Sequence, residues 1–398
     1  MIPFRASSPP HFTTLVLLAA TSTMTLNLIV PSLANIARDL NSDYGVVSLA
    51  LGGYLAVTAL VQLGVGPLSD RIGRRPVLLT ALAVFTVASA IGAAAQDVWM
   101  FLGARMIQAA VISGYVLSLA IVRDTHDGPD VPRLVSRIAM SMALAPMLAP
   151  MVGSLLDAAL GWRAIFVLYG TVGAALLCLV WTDLGETVRG REEMAGAVIP
   201  GAASLFRRPL FWSYALCTTF SGGAFYIFIS GSPLIATSVF GVTTAELGLY
   251  VGSITGGFMT GSFLAGRLSR SWASTRVMLL GRIVACGGLL AGIAVLESGL
   301  VVPVLYFGST ILVGVGNGLT TPTSNAGAMS VVPRLAGSAA GITGATNLAV
   351  GALLTSGTGA LLADRPSPLL LLVLMLAVSV AALLATLAAM VLERRSDG

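Results

Sequence analysis

Charged residues are scarce in this chain, and several classes of protein are excluded with them. Of its 398 residues only 10% are charged, none is lysine, two are histidine and three are cysteine. A soluble domain is about 25% charged. A water-soluble fold of this length could not cover the 56% of residues that are hydrophobic. The composition excludes a soluble enzyme and a disordered chain, and it predicts a protein surrounded mainly by lipid.

The few histidines and cysteines form no pattern typical of a metal or redox site. His11 and His126 stand alone, and Cys178, Cys217 and Cys286 fall inside apolar runs without ligand or disulfide spacing. The chain has no P-loop, so ATP-driven transport is not indicated. We therefore expect no metal, no cofactor and no enzymatic activity. The net charge of +5 comes from arginine alone and predicts an anionic lipid surface as partner, not nucleic acid.

The chain contains many long apolar runs. A membrane-spanning helix needs about 20 mostly apolar residues, and we place twelve such runs. They lie near residues 12–33, 46–66, 77–96, 99–121, 135–157, 163–183, 209–231, 245–265, 277–297, 303–332, 338–362 and 368–391. We predict an all-α membrane protein with twelve transmembrane helices in two six-helix bundles. Most arginines fall at alternate ends of the runs, which places both termini in the cytoplasm by the positive-inside rule.

The longest polar stretch, residues 184–208, separates the two sets of six runs and is predicted to be a cytoplasmic linker. Residues 1–183 would then form an N-terminal six-helix bundle and residues 209–398 a C-terminal one. Residues 66–69 recur in similar form as residues 266–269, each time between the second and third spans of a half. This recurrence supports a duplicated six-span unit.

The strongest motif follows the second span, where residues 66–76 read Gly-Pro-Leu-Ser-Asp-Arg-Ile-Gly-Arg-Arg-Pro. The segment resembles motif A of the major facilitator superfamily, a short inner loop between two helix ends. Its matching residues are Gly66, Asp70, Arg71, Gly73, Arg74 and Arg75.

The chemistry of motif A suits a loop at a membrane surface. We expect Gly66 to permit a close backbone approach and Asp70 to bind a helix N-terminus or an arginine. The three arginines would hold the loop at the anionic lipid surface. The resemblance implies a gating latch, and the alternative is a basic loop that only sets topology.

Arg105 lies inside the fourth span, with Gln108 one turn further on. The pair resembles motif B of the same superfamily. A guanidinium at this depth is tolerated only if it faces the bundle interior or water. Either Arg105 faces the transport cavity and handles protons or substrate, or it is a structural residue bonded to carbonyls of a neighbouring span.

The fifth span contains Pro146 and Pro150, followed by Gly153. This spacing resembles motif C, the antiporter signature. Prolines four residues apart bend a helix and free carbonyl groups. The spacing fits both a sliding helix pair and a kinked packing helix.

Together these motifs resemble the Bcr/CflA branch of drug:proton antiporters, which includes amphenicol exporters. The resemblance implies the major facilitator fold, a monomer in the bacterial inner membrane, and export of a small-molecule substrate by alternating access with a proton as coupling ion. That branch usually has an aspartate where this chain has Asn27, four residues before Pro31. Asparagine does not titrate, so the proton would have to be carried by a carboxylate at the rim, such as Asp157 or Asp39, by another group, or by the substrate itself.

A cavity that contains Arg105 and no deep carboxylate would have a positive potential and would favour neutral or weakly anionic substrates. Isolated polar and aromatic residues within spans complete the predicted substrate and proton pathway. Besides Arg105 and Gln108, these are Asn27, Tyr54, Gln62, Tyr115, Phe225, Tyr226, Asn317 and Asn347. The alternative function is an exporter or facilitator of a small metabolite, such as an amino acid or sugar, without proton coupling.

Overall fold

The computed structural model describes residues 10–126, 130–187, 202–332 and 335–396, and its elements are helices. The first half contains α1 (Phe12–Asn27), a 3₁₀ turn (Val30–Ser32), α2 (Leu33–Asp39), α3 (Tyr44–Ile72), α4 (Arg74–Ala93), α5 (Val98–Gln108), a 3₁₀ turn (Ala109–Val111), α6 (Ile112–Thr125), α7 (Asp130–Leu160) and α8 (Arg163–Asp183). The second half contains α9 (Ala202–Phe206), α10 (Pro209–Ser238), α11 (Thr244–Leu268), α12 (Ser274–Glu297), α13 (Pro303–Ser330), α14 (Ala336–Ala363) and α15 (Pro368–Ser396).

Ten helical stretches in the described ranges are long and apolar enough to cross a membrane. Two further long helices, α7 and α11, stand where the fifth and eighth spans are predicted. The prediction of an all-α membrane protein is confirmed, and the count of twelve spans stays a prediction.

The first and fourth spans are broken, although we predicted each as one helix. In the first span α1 ends at Asn27, and α2 begins at Leu33 after a 3₁₀ turn. Pro31 has no N–H group, so the carbonyl of Asn27 cannot receive its usual helical hydrogen bond. In the fourth span a 3₁₀ turn follows Gln108. Both breaks therefore place a predicted polar site residue at the end of a helix.

Motif A is not the loop that we predicted. The helix α3 continues past Gly66 and Pro67 as far as Ile72, and α4 begins at Arg74. Only Gly73 turns the chain, with a φ of 115° that favours glycine. A proline near the end of a helix removes a single hydrogen bond, so Pro67 does not stop α3.

The chain divides into two compact units. Unit 1 comprises Met1–Ser42 and Gly53–Ala197, and unit 2 comprises Asp43–Gly52 and Val198–Gly398. The predicted linker, residues 184–208, falls largely outside the described residues, and the predicted domain boundaries stay a prediction.

Four corresponding helix pairs pack together in both units. In unit 1, α1 packs against α6 and α7, and α4 packs against α5 and α8. In unit 2, α10 packs against α13 and α14, and α12 packs against α13 and α15. The helices α3 and α4 begin at Tyr44 and Arg74, and α11 and α12 begin 200 residues later, at Thr244 and Ser274. This agreement supports a duplicated six-span unit.

Candidate functional site

Arg105 is completely buried near the end of α5 in unit 1. Its Nη1 donates to Oε1 of Gln108 at 2.8 Å, and its Nη2 donates to the carbonyl of Thr25 at 3.3 Å. The guanidinium lies 4.5 Å from the centre of the Tyr54 ring, while its Nε has no acceptor. Arg105 therefore connects α5 to α1 and α3 through neutral partners.

The hydrogen bonds of Arg105 continue into α4 and α8. Gln108 donates from Nε2 to Oγ of Ser89 at 2.8 Å. The hydroxyl of Tyr169 donates to the carbonyl of Thr25 at 2.9 Å, the same carbonyl that Arg105 contacts. We call this set the Arg105 cluster: Thr25, Tyr54, Ser89, Arg105, Gln108 and Tyr169.

The charge of Arg105 has no carboxylate partner within the described ranges. Burying an unpaired charge costs several kcal/mol, and the cation–π contact with Tyr54 offsets about 2 kcal/mol of that cost. The contact with a carbonyl of α1 fits the structural alternative for Arg105. The unmatched charge and the free Nε fit a residue that also binds a ligand, so its transport role stays a proposal.

Asn27 is buried at the end of α1 but does not join the Arg105 cluster. Its Nδ2 donates to the carbonyl of Thr23 at 3.0 Å, within the same helix. Its Oδ1 is buried without a donor. A buried acceptor without a partner costs about 1–3 kcal/mol, so Oδ1 of Asn27 has an unused capacity to accept a hydrogen bond.

Unit 2 contains a second completely buried arginine, Arg282 on α12, which the sequence analysis missed. Its Nε donates to Oγ1 of Thr320 at 2.9 Å, and its Nη2 donates to Oδ1 of Asn317 at 2.8 Å. Its Nη1 has no acceptor. The thiols of Cys217 and Cys286 are its nearby titratable groups. We call this set the Arg282 cluster: Cys217, Arg282, Cys286, Asn317 and Thr320.

Close packing between two glycines explains how Arg282 reaches its partners. A Cβ atom on Gly281 would lie 2.6 Å from the carbonyl oxygen of Gly316, and one on Gly316 would lie 2.3 Å from that of Gly281. This approach of α12 to α13 brings the guanidinium to Asn317. The sequence signal for Arg282 was an arginine flanked by apolar residues on both sides, which we had grouped with the basic ends of the spans.

The other predicted residues of unit 2 lie between α10 and α14. Asn347 packs against Gly222, where an added Cβ would lie 2.4 Å from Oδ1 of Asn347. Tyr226 is buried against Gly351, and Phe225 is half-buried with its ring centre 6.1 Å from that of Tyr226. These residues form a group separate from the contacts of the Arg282 cluster.

Two predicted pathway residues of unit 1 have weaker support. Tyr115 packs against the hydrophobic core formed by α1, α4, α6 and α8, which fits a packing role. Gln62 is half-buried on α3.

Motif C contacts the broken first span. Gly153 of α7 lies so close to α1 that an added Cβ would stand 1.8 Å from the carbonyl oxygen of Leu28. Pro150 is buried one turn earlier, and the side chain of Pro146 lies outside the described residues. This contact fixes α7 against the point at which the first span is interrupted.

We expected all three arginines of motif A to lie at the lipid surface, and one of them does not. Arg74 is buried, forms an ion pair with Asp70, and donates from Nε to Asp124 at 3.0 Å. Its Nη1 donates to Oγ of Ser69 at 2.5 Å. These two carboxylates neutralise the charge of Arg74, which allows its side chain to be buried. Arg71 is exposed.

A carboxylate from beyond α8 caps the N-terminus of α4, a role that we had considered for Asp70. Glu186 accepts hydrogen bonds from the backbone N–H groups of Arg74 at 2.9 Å and Arg75 at 3.3 Å. Negative charge at a helix N-terminus is stabilising. The guanidinium of Arg75 donates to the carbonyl of Trp181 at 2.8 Å. Motif A is thus tied to the end of α8.

The two glycines of motif A differ in what surrounds them. No described atom lies within 4 Å of a Cβ built on Gly66, so the close approach that we expected there is not observed. A Cβ on Gly73 would lie 2.3 Å from Oε2 of Glu186. Gly73 is therefore the glycine that the fold requires.

We expect Gly73→Ala to lower the free energy of unfolding by about 1–3 kcal/mol, because alanine is strained at this φ and displaces Glu186 from the end of α4. Thermal unfolding of the purified protein in detergent measures this loss. Gly66→Ala is the matched control in the same motif and should unfold at or slightly above the wild-type temperature, because alanine favours the helix that contains it. Equal melting temperatures for the two variants would contradict the assignment.

Comparison with known proteins shows the family to which the chain belongs. The model of the Major Facilitator Superfamily matches residues 15–356. The chain is 30% identical over 318 residues to a chloramphenicol resistance protein of Pseudomonas aeruginosa, covering 78% of this chain and 74% of that protein. It is 27% identical to multidrug resistance protein D of Escherichia coli over 83% of both.

Among solved structures, a bacterial homolog of the human lysosomal transporter Spinster, in an inward-facing and unoccupied conformation, matches with a TM-score of 0.78. The match covers 95% of this chain and 97% of that one at 15% identity, so it shows the fold alone. The chain belongs to the major facilitator superfamily and is a multi-pass membrane transporter, not an enzyme.

Proposed function

We propose that this transporter exports drug-like compounds by alternating access of its two halves, in antiport against protons, and favours neutral or weakly anionic substrates. Two relatives are named for chloramphenicol resistance and multidrug resistance, which supports drug export. The observation that carries the charge preference is a completely buried arginine in each unit, Arg105 and Arg282. Neither forms an ion pair within the part of the chain that the structure describes.

The charge preference follows from the energy of a cation near such an arginine. Two unit charges about 8 Å apart repel each other by about 2 kcal/mol at an effective dielectric constant of about 20. That energy weakens binding about thirtyfold. A neutral compound avoids this repulsion, and a weak acid gains a favourable interaction of similar size.

The membrane orientation belongs to the same proposal. Bacterial relatives and the arginine distribution support a location in the inner membrane with both termini in the cytoplasm. Motif A would then lie at the cytoplasmic side, where the exposed Arg71 contacts anionic lipid. There Asp70, Gly73, Arg74 and Arg75 would act as a latch that opens when the halves move.

The alternative is an exporter or facilitator of a small metabolite that moves its substrate without protons. The observation in its favour is Asn27, since an amide replaces the carboxylate that would titrate in the first span.

A susceptibility screen in an efflux-deficient Escherichia coli host tests the proposal. The probes are chloramphenicol as a neutral compound, nalidixic acid as a weak acid and tetraphenylphosphonium as a cation. We expect resistance to the first two that a protonophore abolishes, and none to the cation. Equal resistance to tetraphenylphosphonium would contradict the charge preference. Failure to protect against any probe, together with amino-acid or sugar counterflow that is independent of pH, would establish the metabolite alternative.

A further inference from the structure

At the end of unit 1 opposite motif A, a pocket of about 470 Å³ opens between α2, the end of α7 and the start of α8. Its polar lining consists of Asn35, Arg38, Asp39, Asp157, Trp162 and Arg163. The proposed function assigns no role to this pocket, although it holds the two rim carboxylates that the sequence singled out.

The two carboxylates of the pocket have different surroundings. Asp39 pairs with Nη1 of Arg163 at 2.5 Å and accepts a hydrogen bond from Nε1 of Trp162 at 3.0 Å, and its side chain is 47% exposed. Asp157 is only 8% exposed, and no other acidic residue whose side chain the structure describes is buried to this degree. It accepts a hydrogen bond from Nδ2 of Asn35 at 2.7 Å. Asp39 therefore has a charged partner, whereas Asp157 accepts a hydrogen bond from a neutral amide.

The charged groups around Asp157 do not fix its carboxyl group in either the ionised or the protonated form. On α2, Arg38 donates to Oδ1 of Asn35, so this amide stands between the guanidinium and the carboxylate. Also on α2, Asp39 is neutralised by Arg163 at the start of α8. A buried carboxylate with one indirect cation nearby can hold or release a proton at moderate energetic cost.

The helix that carries Asp157 contacts the first span on both sides of its break. Gly153, one turn before Asp157 on the same face of α7, packs against the carbonyl of Leu28, where α1 has ended. Asp157 itself bonds to Asn35 on α2, after the break. The α1 side of the break carries Asn27 and the Thr25 carbonyl to which Arg105 binds. The interruption thus lies between the Asp157 contact and the Arg105 cluster.

We propose that Asp157 binds and releases the coupling proton, and that its hydrogen bond to Asn35 is a clasp between α7 and α2 that protonation loosens. The inference rests on the proposed proton antiport. The ionised carboxylate accepts a strong charge-assisted hydrogen bond from Asn35. Protonation removes the charge and weakens this bond, which frees α2 to move about the break at residues 28–32. Asp157 of α7 thereby supplies the titratable group that is missing at position 27.

The experiment compares two transport modes of Asp157→Asn in proteoliposomes, with radiolabelled chloramphenicol as the probe. Uptake driven by a pH gradient requires proton exchange, whereas counterflow at equal pH requires only substrate exchange. We expect gradient-driven uptake to fall at least tenfold while counterflow stays within twofold of wild type. Asp39→Asn, the matched carboxylate in the same pocket, should retain gradient-driven uptake.

Each other outcome overturns a specific part of the inference. Wild-type protein that shows counterflow but no gradient-driven uptake would remove the proposed proton antiport itself. Coupled wild-type protein with a fully coupled Asp157→Asn variant would remove only the role of Asp157. Loss of counterflow in the variant would also overturn it, since a proton carrier is not required for substrate exchange.

Discussion

Replacing Arg105 by alanine is expected to reduce chloramphenicol export at least a hundredfold, which corresponds to about 2.7 kcal/mol. The substitution removes the donor to Gln108, the donor to the Thr25 carbonyl and the cation–π contact with Tyr54. It leaves Oε1 of Gln108 buried without this donor, at a cost of about 1–3 kcal/mol, while the Thr25 carbonyl keeps the hydroxyl of Tyr169. The loss would be measured as initial export rate from energised cells at matched protein levels.

Two variants separate the geometry of Arg105 from its charge. Arg105→Lys keeps the charge but replaces a planar fork by a single ammonium, which cannot serve Gln108 and the Thr25 carbonyl in the same geometry. We expect it to remain at least tenfold impaired. Arg276→Ala removes an exposed arginine outside the three motifs and should stay near wild type. Wild-type export by Arg105→Ala would show that the cluster is only a packing feature.

The sequence predicted the helices well because a spanning segment must be apolar over its whole length. It did not predict the interruptions inside the first and fourth spans. Pro31 was visible in the sequence, but whether a helix resumes after a proline depends on what packs around it. Here Gly153 presses against Leu28 at that point, and this contact between distant segments leaves no local signal.

Some polar site residues could likewise be recognised from the sequence, whereas the burial of others depends on contacts between distant segments. Arg105 was recognised because an arginine inside an apolar run is conspicuous and because Gln108 follows one turn later. Arg282 was missed because it lies about 12 Å into its helix, close enough to a basic end to be grouped with it. Its burial depends on the contact of Gly281 with Gly316, and the burial of Asp157 depends on α2.

Replacing Arg282 by glutamine is expected to alter substrate selectivity more than transport itself. The unmatched charge of Arg282 would attract a weak acid by about 1–2 kcal/mol at moderate distance. Its loss should raise the KM for nalidixic acid about five- to thirtyfold, while the KM for chloramphenicol changes less than threefold. The readout is concentration-dependent uptake of both compounds into everted membrane vesicles.

We expect Arg282→Gln to raise the thermal stability of the protein while it weakens binding of the weak acid. Two independent measurements therefore test the role of Arg282. Arg282 is buried with neutral acceptors only and has an unpartnered Nη1. Burying a charge that no carboxylate compensates costs several kcal/mol, and the neutral glutamine avoids this cost, so the variant should unfold at a higher temperature. Arg276→Gln, an exposed position on the same helix, is the matched control and should change neither quantity. If Arg282→Gln instead lowers the melting temperature and impairs both substrates equally, then Arg282 acts as a structural link between α12 and α13, and the charge preference must come from Arg105 alone.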